Sequence, residues 1–348
     1  MWPYILLFIL ALANCFVNTK QSNLFILILF IFFTCLRYNV GFDYEAYLSI
    51  MIHNDSFSLQ RMEGLERWLL EFCTRTKLYQ LFFILNSIVT IICVYFMIEK
   101  FSPNKAISLF IFLTCPLMLT QSFSIVRHWT AVSLILYGTT FLADKKLYKF
   151  LFCIIFASLC HSIALVGLLY IPLFYLQINN KINILLLIIS LLLGSVIQTY
   201  IINLLGNVEG VNDARHLVIY AQRIGGQDGL TRLPYLFLIL DIILLFNRKR
   251  FLNKEIQRWI NIYNVGVCFM FLFSFQATLS IRFSTVFLPA IIICIPSLIG
   301  LRITEYNLKK LFVFVTIFTG LFFYTLSIYN DNLGRSQYIP YDVFFTHF

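Results

Sequence analysis

The sequence is poor in charge, and this scarcity excludes the commonest class of protein. Only 12% of its 348 residues are Asp, Glu, Lys or Arg, whereas a soluble globular domain carries about 25%. No polar stretch is long enough to fold as a soluble domain by itself. The strict apolar and polar alternation of membrane β-barrel strands is missing as well. The sequence therefore indicates neither a soluble enzyme nor a barrel.

Recognisable metal-binding patterns are also missing. Nine cysteines are scattered along the chain without a CxxC pair, and most of them stand inside apolar runs. There is no His/Cys spacing typical of a metal site and no DxD-like acid pair in a loop. We therefore expect no essential metal and no cofactor. The net charge of +10 does not require a nucleic-acid partner, because membrane topology accounts for it.

Long apolar runs are abundant, and they recur over the whole chain. Hydrophobic residues make up 60% of the sequence, with 38 Phe. Continuous runs of this kind are typical of membrane-spanning helices. The sequence predicts an all-α, polytopic integral membrane protein with about 12 transmembrane segments in a single transmembrane domain, 1–348. The predicted spans are 3–18, 22–36, 78–98, 106–121, 124–143, 147–160, 162–176, 182–204, 234–247, 259–277, 281–301 and 308–329.

The cations separate onto one side of this predicted topology. When the connecting segments alternate between two sides, 15 Lys and Arg but only four acids fall on one side, while the other side has 11 of each. The positive-inside rule places the first side in the cytoplasm. Both termini then face outward. The short segments 147–160 and 162–176 are either two spans or two half-helices that meet inside the bilayer.

Two outer loops are long, 37–77 and 205–233, and the first contains an amphipathic segment near 61–77. In it Leu65, Trp68, Leu69 and Phe72 recur at helical spacing. This pattern predicts a helix lying flat at the outer membrane interface. The spacing also predicts two i,i+4 ion pairs on its polar side: Glu63 with Arg67, and Glu71 with Arg75.

Arginines are concentrated on the predicted outer side, where ten of the 14 lie, whereas eleven of the 12 lysines are predicted to be cytoplasmic. An arginine grips a phosphate or carboxylate with a planar fork. Arg37, Arg127 and Arg282 occur at the outer ends of different spans. Three arginines at one depth can hold a pyrophosphate, and Asp43 or His161 can take a proton from an attacking hydroxyl.

Each of these residues also has a structural interpretation. Arg127 can extend to the lipid headgroups, His161 can be a hydrogen-bonded packing residue, Asp43 can pair with Arg37 as a loop clamp, and Arg282 can mark a helix end. Asp241, inside a predicted span, can bond a polar partner on another helix or relay protons. The recurrence of charged groups at one predicted depth favours a functional site.

Several motifs together resemble a known family. They are RYNVGFDYEAY followed by EGLERWLL, then IVRHWTAVSLILYG, DKKLYKF and LCHSIALVGLLYIPL. In this order they resemble the EpsG/Wzy-like bacterial polysaccharide polymerases over roughly 35–175, with Arg282 matching more loosely. The chain departs from the family pattern at Glu63-Gly64, where Glu-Pro is common, and at His128, where a small or amide residue is more usual.

The resemblance implies a metal-independent membrane glycosyltransferase of the C type. Its substrates would be undecaprenyl-pyrophosphate-linked oligosaccharide repeat units, joined into O-antigen or a related surface polysaccharide at the outer (periplasmic) face of the bacterial inner membrane. Arg37, Arg127 and Arg282 would bind pyrophosphate, with Asp43 or His161 as the base. Sugar contacts would come from Tyr44, Tyr47, His128 and Arg215. The bilayer is an expected partner, and a chain-length regulator is left open as another.

Two other classes stay open on the sequence. A lipid-linked oligosaccharide flippase would have a similar number of spans, but the chain lacks a visible internal repeat. An O-antigen ligase shares the lipid-linked donor and differs only in its acceptor. A membrane acyltransferase would require a His beside a carboxylate or Asn facing a lipid tunnel.

Overall fold

All twelve apolar segments are largely helical in the computed structural model, which describes residues 1–206, 233–251, 253–300, 305–328 and 337–347. The α-helices are α1 (Trp2–Val17), α2 (Lys20–Cys35), α3 (Tyr44–His53), α4 (Ser56–Gln60), α5 (Gly64–Thr76), α6 (Tyr79–Phe101), α7 (Lys105–Thr114), α8 (Leu119–Ser124), α9 (Val126–Ala143), α10 (Leu147–Cys160), α11 (Tyr170–Tyr175), α12 (Asn180–Gly206), α13 (Leu233–Asn247), α14 (Lys254–Leu272), α15 (Ala277–Ser284), α16 (Ile291–Ile299) and α17 (Glu305–Ile328).

Short 3₁₀ helices and one strand pair complete the described secondary structure. The 3₁₀ helices are Ser162–Leu169, Arg248–Arg250, Leu288–Ala290 and Phe344–His347. The strands are β1 (Arg37–Tyr38) and β2 (Asp342–Val343), which pair antiparallel. The prediction of an all-α protein is therefore confirmed apart from this two-residue ladder. The predicted helix near 61–77 is present as α5, and its position at the outer membrane interface stays a prediction.

Some apolar runs are broken rather than continuous. The run 106–121 divides into α7 and α8, and the run 281–301 is bent by 47° between Ala277–Ser284 and Leu288–Ile299. Within the described residues, two helices are long and apolar enough to cross a membrane, Tyr79–Phe101 and Asn307–Ser327, and the bent pair would make a third. Shorter apolar helices accompany them. The chain is thus a helical, membrane-embedded protein, while the number of twelve spans stays a prediction.

The chain divides into two compact units. The first comprises 1–168 and 295–348, and the second comprises 169–294. In the first unit, α9 packs between α6 and α10, and α7 packs against α1 and α17. Aromatic side chains fill the contact of α1 with α7 and α17, where the ring of Phe8 lies 5.6 Å from that of Phe110 and 6.0 Å from that of Phe322.

Contacts within the first unit place charged residues at opposite ends of its helices. At one end Lys100 of α6 donates to Asp144, after α9, at 2.6 Å, and Lys105 pairs with Glu99. The other end carries the starts of α6 and α9 and the end of α10, together with α5. Because α6 and α9 run in the same direction, their first turns lie at this second end, where Arg127 of α9 meets Glu63.

In the second unit, the interior is likewise built on aromatic and amide contacts between helices. The Tyr170 hydroxyl donates to the backbone oxygen of Val286 at 2.8 Å. Asn264 of α14 donates to the Asp241 carboxylate of α13 at 2.7 Å. Asp241 therefore bonds a polar partner on another helix, which was one of the two interpretations of this residue.

Candidate active site

Glu63 occupies the position just before α5, and its side chain faces another part of the fold. Its backbone is extended and its carboxylate does not cap the helix. One carboxylate oxygen accepts from the Arg127 guanidinium at 2.5 Å, and the other accepts from the backbone N–H of Ser162 at 3.0 Å. The predicted pair of Glu63 with Arg67 is wrong, because Arg67 pairs instead with Glu71 at 3.8 Å.

Arg127, in the first turn of α9, joins Glu63 to α3. Its Nε donates to the Tyr47 hydroxyl of α3 at 2.8 Å. Its guanidinium carbon lies 5.8 Å from the centre of the Tyr47 ring. Both side chains of the ion pair are about one-fifth exposed, 20% for Arg127 and 22% for Glu63. The pair is thus oriented on both sides and still accessible to a ligand.

His161 completes this cluster at the break between α10 and the 3₁₀ helix that follows. Its Nδ1 lies 4.0 Å from a Glu63 carboxylate oxygen and accepts from the backbone N–H of Ile163 at 3.2 Å. The imidazole also stands edge-on to His128 of α9, with ring centres 5.4 Å apart. We call Glu63, Arg127, His128 and His161 the Glu63 cluster. Its residues come from three elements distant in sequence, and Tyr47 of α3 adds a fourth.

A second glutamate, Glu66, lies one turn along α5 and is 2% exposed. Its carboxylate accepts from the Asn86 amide of α6 at 3.2 Å, and the Asn86 oxygen accepts from the Thr130 hydroxyl of α9 at 2.6 Å. Because Glu63 and Glu66 are three residues apart, as are Arg127 and Thr130, both helices present successive turns to each other. The Glu63–Arg127 ion pair is therefore one link between α5 and α9. The hydrogen bonds from Glu66 through Asn86 to Thr130 form a second link beside it.

The pKa values of the two carboxyl groups are shifted in opposite directions. Burial raises the pKa of Glu66 to about 7, and the hydrogen bonds from Asn86 and Cys160 only partly oppose that rise. Burial also acts on Glu63, but hydrogen bonds from the backbone amides of Ser162 and Glu63, followed by the charge of Arg127, hold its pKa below the ordinary value. Glu63 is therefore ionised near neutrality, whereas Glu66 gains and loses its proton in the neutral range.

Arg37 is placed differently, in the core of the first unit. It is 1% exposed, and its guanidinium lies over the rings of Phe123 and Phe83, 4.7 Å and 5.8 Å from their centres. One terminal nitrogen reaches the Ser87 hydroxyl at 3.5 Å, while Nε and Nη2 have no hydrogen-bond partner. Burial lowers the pKa of Arg37 to about 10.

The backbone around Arg37 is fixed by the end of the chain and by a tight turn. β1 pairs with β2, and the Gly41 N–H donates to the backbone oxygen of Gln337 at 2.9 Å. Gly41 has φ +104°, and a Cβ there would stand 2.2 Å from the Phe123 carbonyl oxygen. Only glycine fits this turn.

Asp43, Tyr44 and Tyr47 follow that turn. Asp43 is half-buried at the start of α3, and because no ion pair of Arg37 is found in the described ranges, the Asp43–Arg37 clamp is not formed. Tyr44 donates to Gln80 at 2.7 Å and stacks on Phe83 at 4.1 Å. Both tyrosines are buried, Tyr44 with 1% and Tyr47 with 6% of its surface exposed. Their predicted contacts with sugar stay a prediction.

The remaining predicted residues lie elsewhere. Arg282 is in α15 of the second unit, half-buried, with an Nε that has no hydrogen-bond partner. Arg215 is outside the residues that the structure describes. The first unit thus brings together four of the predicted site residues: Arg127, His128, His161 and Tyr47. The ring of Phe83 connects this group to two more, because it contacts Tyr47 on one side and both Arg37 and Tyr44 on the other.

Glu63 is the site residue that the sequence reasoning missed. Its spacing to Arg67 indicated an ordinary helix-surface pair, and Gly64 departed from the expected Glu-Pro. The available signal was its position, because Glu63 stands just before the helix, where a side chain need not follow the helical spacing. Arg127 and His161 occupied the ends of other segments with no acid nearby in sequence.

These features define a class: a membrane-embedded helical protein with a charged cluster where several helices end. The model of the EpsG family matches residues 22–343, which is nearly the whole chain, and the protein belongs to this family. Membership indicates a polymerase-type glycosyltransferase of polysaccharide biosynthesis and implies a lipid-linked oligosaccharide substrate in a membrane. Neither the curated proteins nor the solved structures contain a match.

Proposed function

We propose that the protein polymerises undecaprenyl-pyrophosphate-linked repeat units into a surface polysaccharide at the outer face of the bacterial inner membrane. A hydroxyl oxygen of the incoming unit forms a bond to the anomeric carbon of the growing chain. The bond between that carbon and the pyrophosphate breaks, and undecaprenyl pyrophosphate leaves with the electron pair. The hydroxyl proton passes to a base on the protein.

The observation that carries this proposal is the Glu63 cluster itself. Arg127 is oriented by Tyr47 and Glu63 and remains one-fifth exposed. A fixed, accessible guanidinium can stabilise the charge that develops on a departing pyrophosphate without reorganising during the reaction. Arg37 and Arg282 are further proposed pyrophosphate ligands, and the proposal requires no metal.

The geometry favours Glu63 over the two bases predicted from the sequence. Its pKa is held low, so the carboxylate is ionised near neutrality. In the neutral His161 side chain, the nitrogen with the lone pair is Nδ1, which already accepts from Ile163. We therefore assign Glu63 as the base and His161 as a donor from Nε2 toward the anionic part of the substrate. Asp43 is kept as the alternative base.

Sugar recognition is proposed for residues beside this cluster. His128 stands against His161, and Tyr47 holds Arg127, so both adjoin the proposed reaction centre. Tyr44 and Arg215 complete the proposed set. Tyrosine and histidine rings suit this role because they combine an apolar face with a polar edge.

The test is the surface polysaccharide of a deletion strain carrying wild type, Arg127→Ala or Arg67→Ala. Loss of Arg127 should collapse the glycolipid ladder to core plus one repeat unit, because removing such a donor lowers rate by about 10²–10³-fold. Arg67 is a matched control, since its pair with Glu71 is exposed and contributes little. Its ladder should be unchanged.

The form of the lost product separates this function from the alternatives. Single repeat units at the outer face would support a polymerase, whereas lipid-linked units trapped in the cytoplasmic leaflet would identify a flippase. Polymer that is made but not transferred to its final acceptor would identify a ligase. A full ladder from Arg127→Ala at equal protein level would contradict the proposal.

A further inference from the structure

A cationic pocket of about 260 Å³ opens in the second unit, where the segment between α11 and α12 meets the start of α14. Three cations line it, Arg248, Lys254 and Arg258, and amide side chains accompany them at Asn179, Gln257 and Asn261. No carboxylate is among its lining residues. Such a lining matches a ligand that carries concentrated negative charge and accepts several hydrogen bonds.

Arg248 is built into the wall of this pocket. One of its terminal nitrogens donates to Asn180 at 2.8 Å and the other donates to the backbone oxygen of Ile178. Its Nε is buried without a hydrogen-bond partner. Asn180 is itself held, because its amide donates to the backbone oxygen of Leu245 at 2.9 Å. The guanidinium is therefore oriented before any ligand arrives, which reduces the entropic cost of binding.

Lys254 and Arg258 lie one turn apart on α14, so their side chains share a face. Lys254 is exposed and Arg258 is half-buried. Among the described residues neither cation has an ion pair, although Glu255 lies between them in sequence. Their charge is thus left uncompensated by the fold around the pocket.

The same pocket has an apolar margin. Tyr175 and Leu176 line it and are 48% and 60% exposed. Exposed apolar side chains next to unpaired cations match a molecule that is charged at one end and hydrocarbon at the other. This combination favours a lipid over a soluble anion, for which an apolar margin contributes nothing.

We propose that this pocket binds the phosphate headgroup of an anionic membrane lipid. Arg248 and Arg258 contact the phosphate oxygens, Lys254 supplies further positive charge, and Tyr175 with Leu176 contact the acyl region. The segment that contains Arg248 and Lys254 belongs to the lysine-rich side predicted to be cytoplasmic, where anionic lipids are expected to attract such clusters. This inference does not depend on the proposed polymerase activity.

The test measures lipid retention by the purified full-length protein in detergent. Native mass spectrometry and thermal unfolding are compared with added phosphatidylglycerol, with phosphatidylcholine and with inorganic phosphate alone. The variant is Lys254→Gln with Arg258→Gln. The matched control is Lys249→Gln with Arg250→Gln, which removes the same charge from exposed neighbours that do not line the pocket.

Phosphatidylglycerol should be retained and should raise the unfolding temperature, while phosphatidylcholine should do neither. The pocket variant should lose about 30-fold in phosphatidylglycerol affinity, which corresponds to about 1 kcal/mol for each cation removed. The control should stay within about threefold of wild type. Equal losses in variant and control would overturn the proposal. Saturable stabilisation by inorganic phosphate without lipid would also overturn it, in favour of a soluble phosphorylated ligand.

Discussion

Arg127 and Arg37 lie against two neighbouring aromatic rings, Tyr47 and Phe83 respectively, yet the surroundings of the two arginines are opposite. Arg127 contacts Tyr47, pairs with Glu63 and is one-fifth exposed. Arg37 lies over Phe83, is 1% exposed, and has two guanidinium nitrogens without hydrogen-bond partners. A partly exposed pair can exchange its partner for a substrate, whereas a buried cation without a carboxylate is costly to keep.

This difference indicates that the two arginines have different roles. Arg127 is equipped to meet a ligand directly, because its partner Glu63 also compensates its charge when the site is empty. Arg37 keeps its charge in the core. Two roles would explain this: the charge acts on a nearby anion, or it stabilises the β1–β2 region. The following predictions address this comparison.

The largest effect is expected from Glu63→Gln. The substitution keeps an oxygen that can accept from Ser162, but it removes the negative charge and the basicity. Polymer formation should fall by about 10²–10³-fold, as for loss of a general base together with misplacement of Arg127. The measurement is incorporation of lipid-linked repeat units by purified protein.

Glu71→Gln is the matched control for this experiment. Glu71 is on the same helix, pairs with Arg67 and Arg75 at 3.8 Å, and is 39% exposed. Its loss should change the rate by less than about twofold, since exposed pairs contribute little. If Glu63→Gln polymerised at the wild-type rate, the base would have to be His161 or Asp43.

An intermediate effect is expected from Arg37→Met. Methionine approximates the volume of the arginine without its charge, and replacing a buried charge by an apolar residue is often neutral or stabilising. We expect an unfolding temperature equal to or above that of wild type. If Arg37 acts on the pyrophosphate, the polymerisation rate should fall by about 10–100-fold.

Two readouts are needed because either alone would be ambiguous. An active, stable Arg37→Met protein would show that the charge is dispensable and would leave Arg127 as the arginine of the first unit that binds pyrophosphate. A poorly folded variant would show that the charge serves the core, and Arg37→Lys would then report whether any cation suffices.

The smallest effect concerns Glu66 and the pH dependence of stability. Its pKa is about 7 in the folded protein and near 4.5 in the unfolded chain, so the folded state binds more protons between these values. Stability from this group is therefore greatest below about pH 4.5 and decreases as pH rises toward 7. Glu66→Gln should abolish that decrease.

The measurement is the unfolding temperature of wild type and Glu66→Gln between pH 5 and 8. The wild-type temperature should fall by a few degrees relative to the variant over this range. Glu63 contributes with the opposite sign, because its pKa is lowered and its stabilisation is lost only in acid. Parallel curves for the two proteins would show that Glu66 does not titrate there.

Much of the fold was accessible from the sequence because it depends on local pattern. Apolar runs predicted helices at every one of the twelve segments, and helical spacing predicted α5. Of the two ion pairs predicted by the same reasoning, Glu71 with Arg75 is confirmed, whereas Glu63 bonds Arg127 rather than Arg67. Helical spacing describes only neighbours on one helix, and Glu63 stands before the helix begins.

The exposed face of α5 illustrates the same limit. Trp68 and Phe72, which form its apolar stripe, are 62% and 41% exposed, as suits a helix at a membrane interface. The face that packs on the protein instead carries Glu66, Leu70 and Cys73. In a lipid environment apolar residues can face outward, so hydrophobicity does not identify the protein-facing side.

The sequence by itself determined that the chain is a helical membrane protein with charged residues at helix ends, and its ordered motifs indicated the EpsG family. These conclusions follow from residue type and short-range periodicity. Only the tertiary structure decided that Glu63, Arg127 and His161 form one cluster, that Glu66 is buried behind it and that Arg37 is enclosed. Contacts between residues 64 and 98 positions apart depend on how helices pack, and no local pattern encodes them.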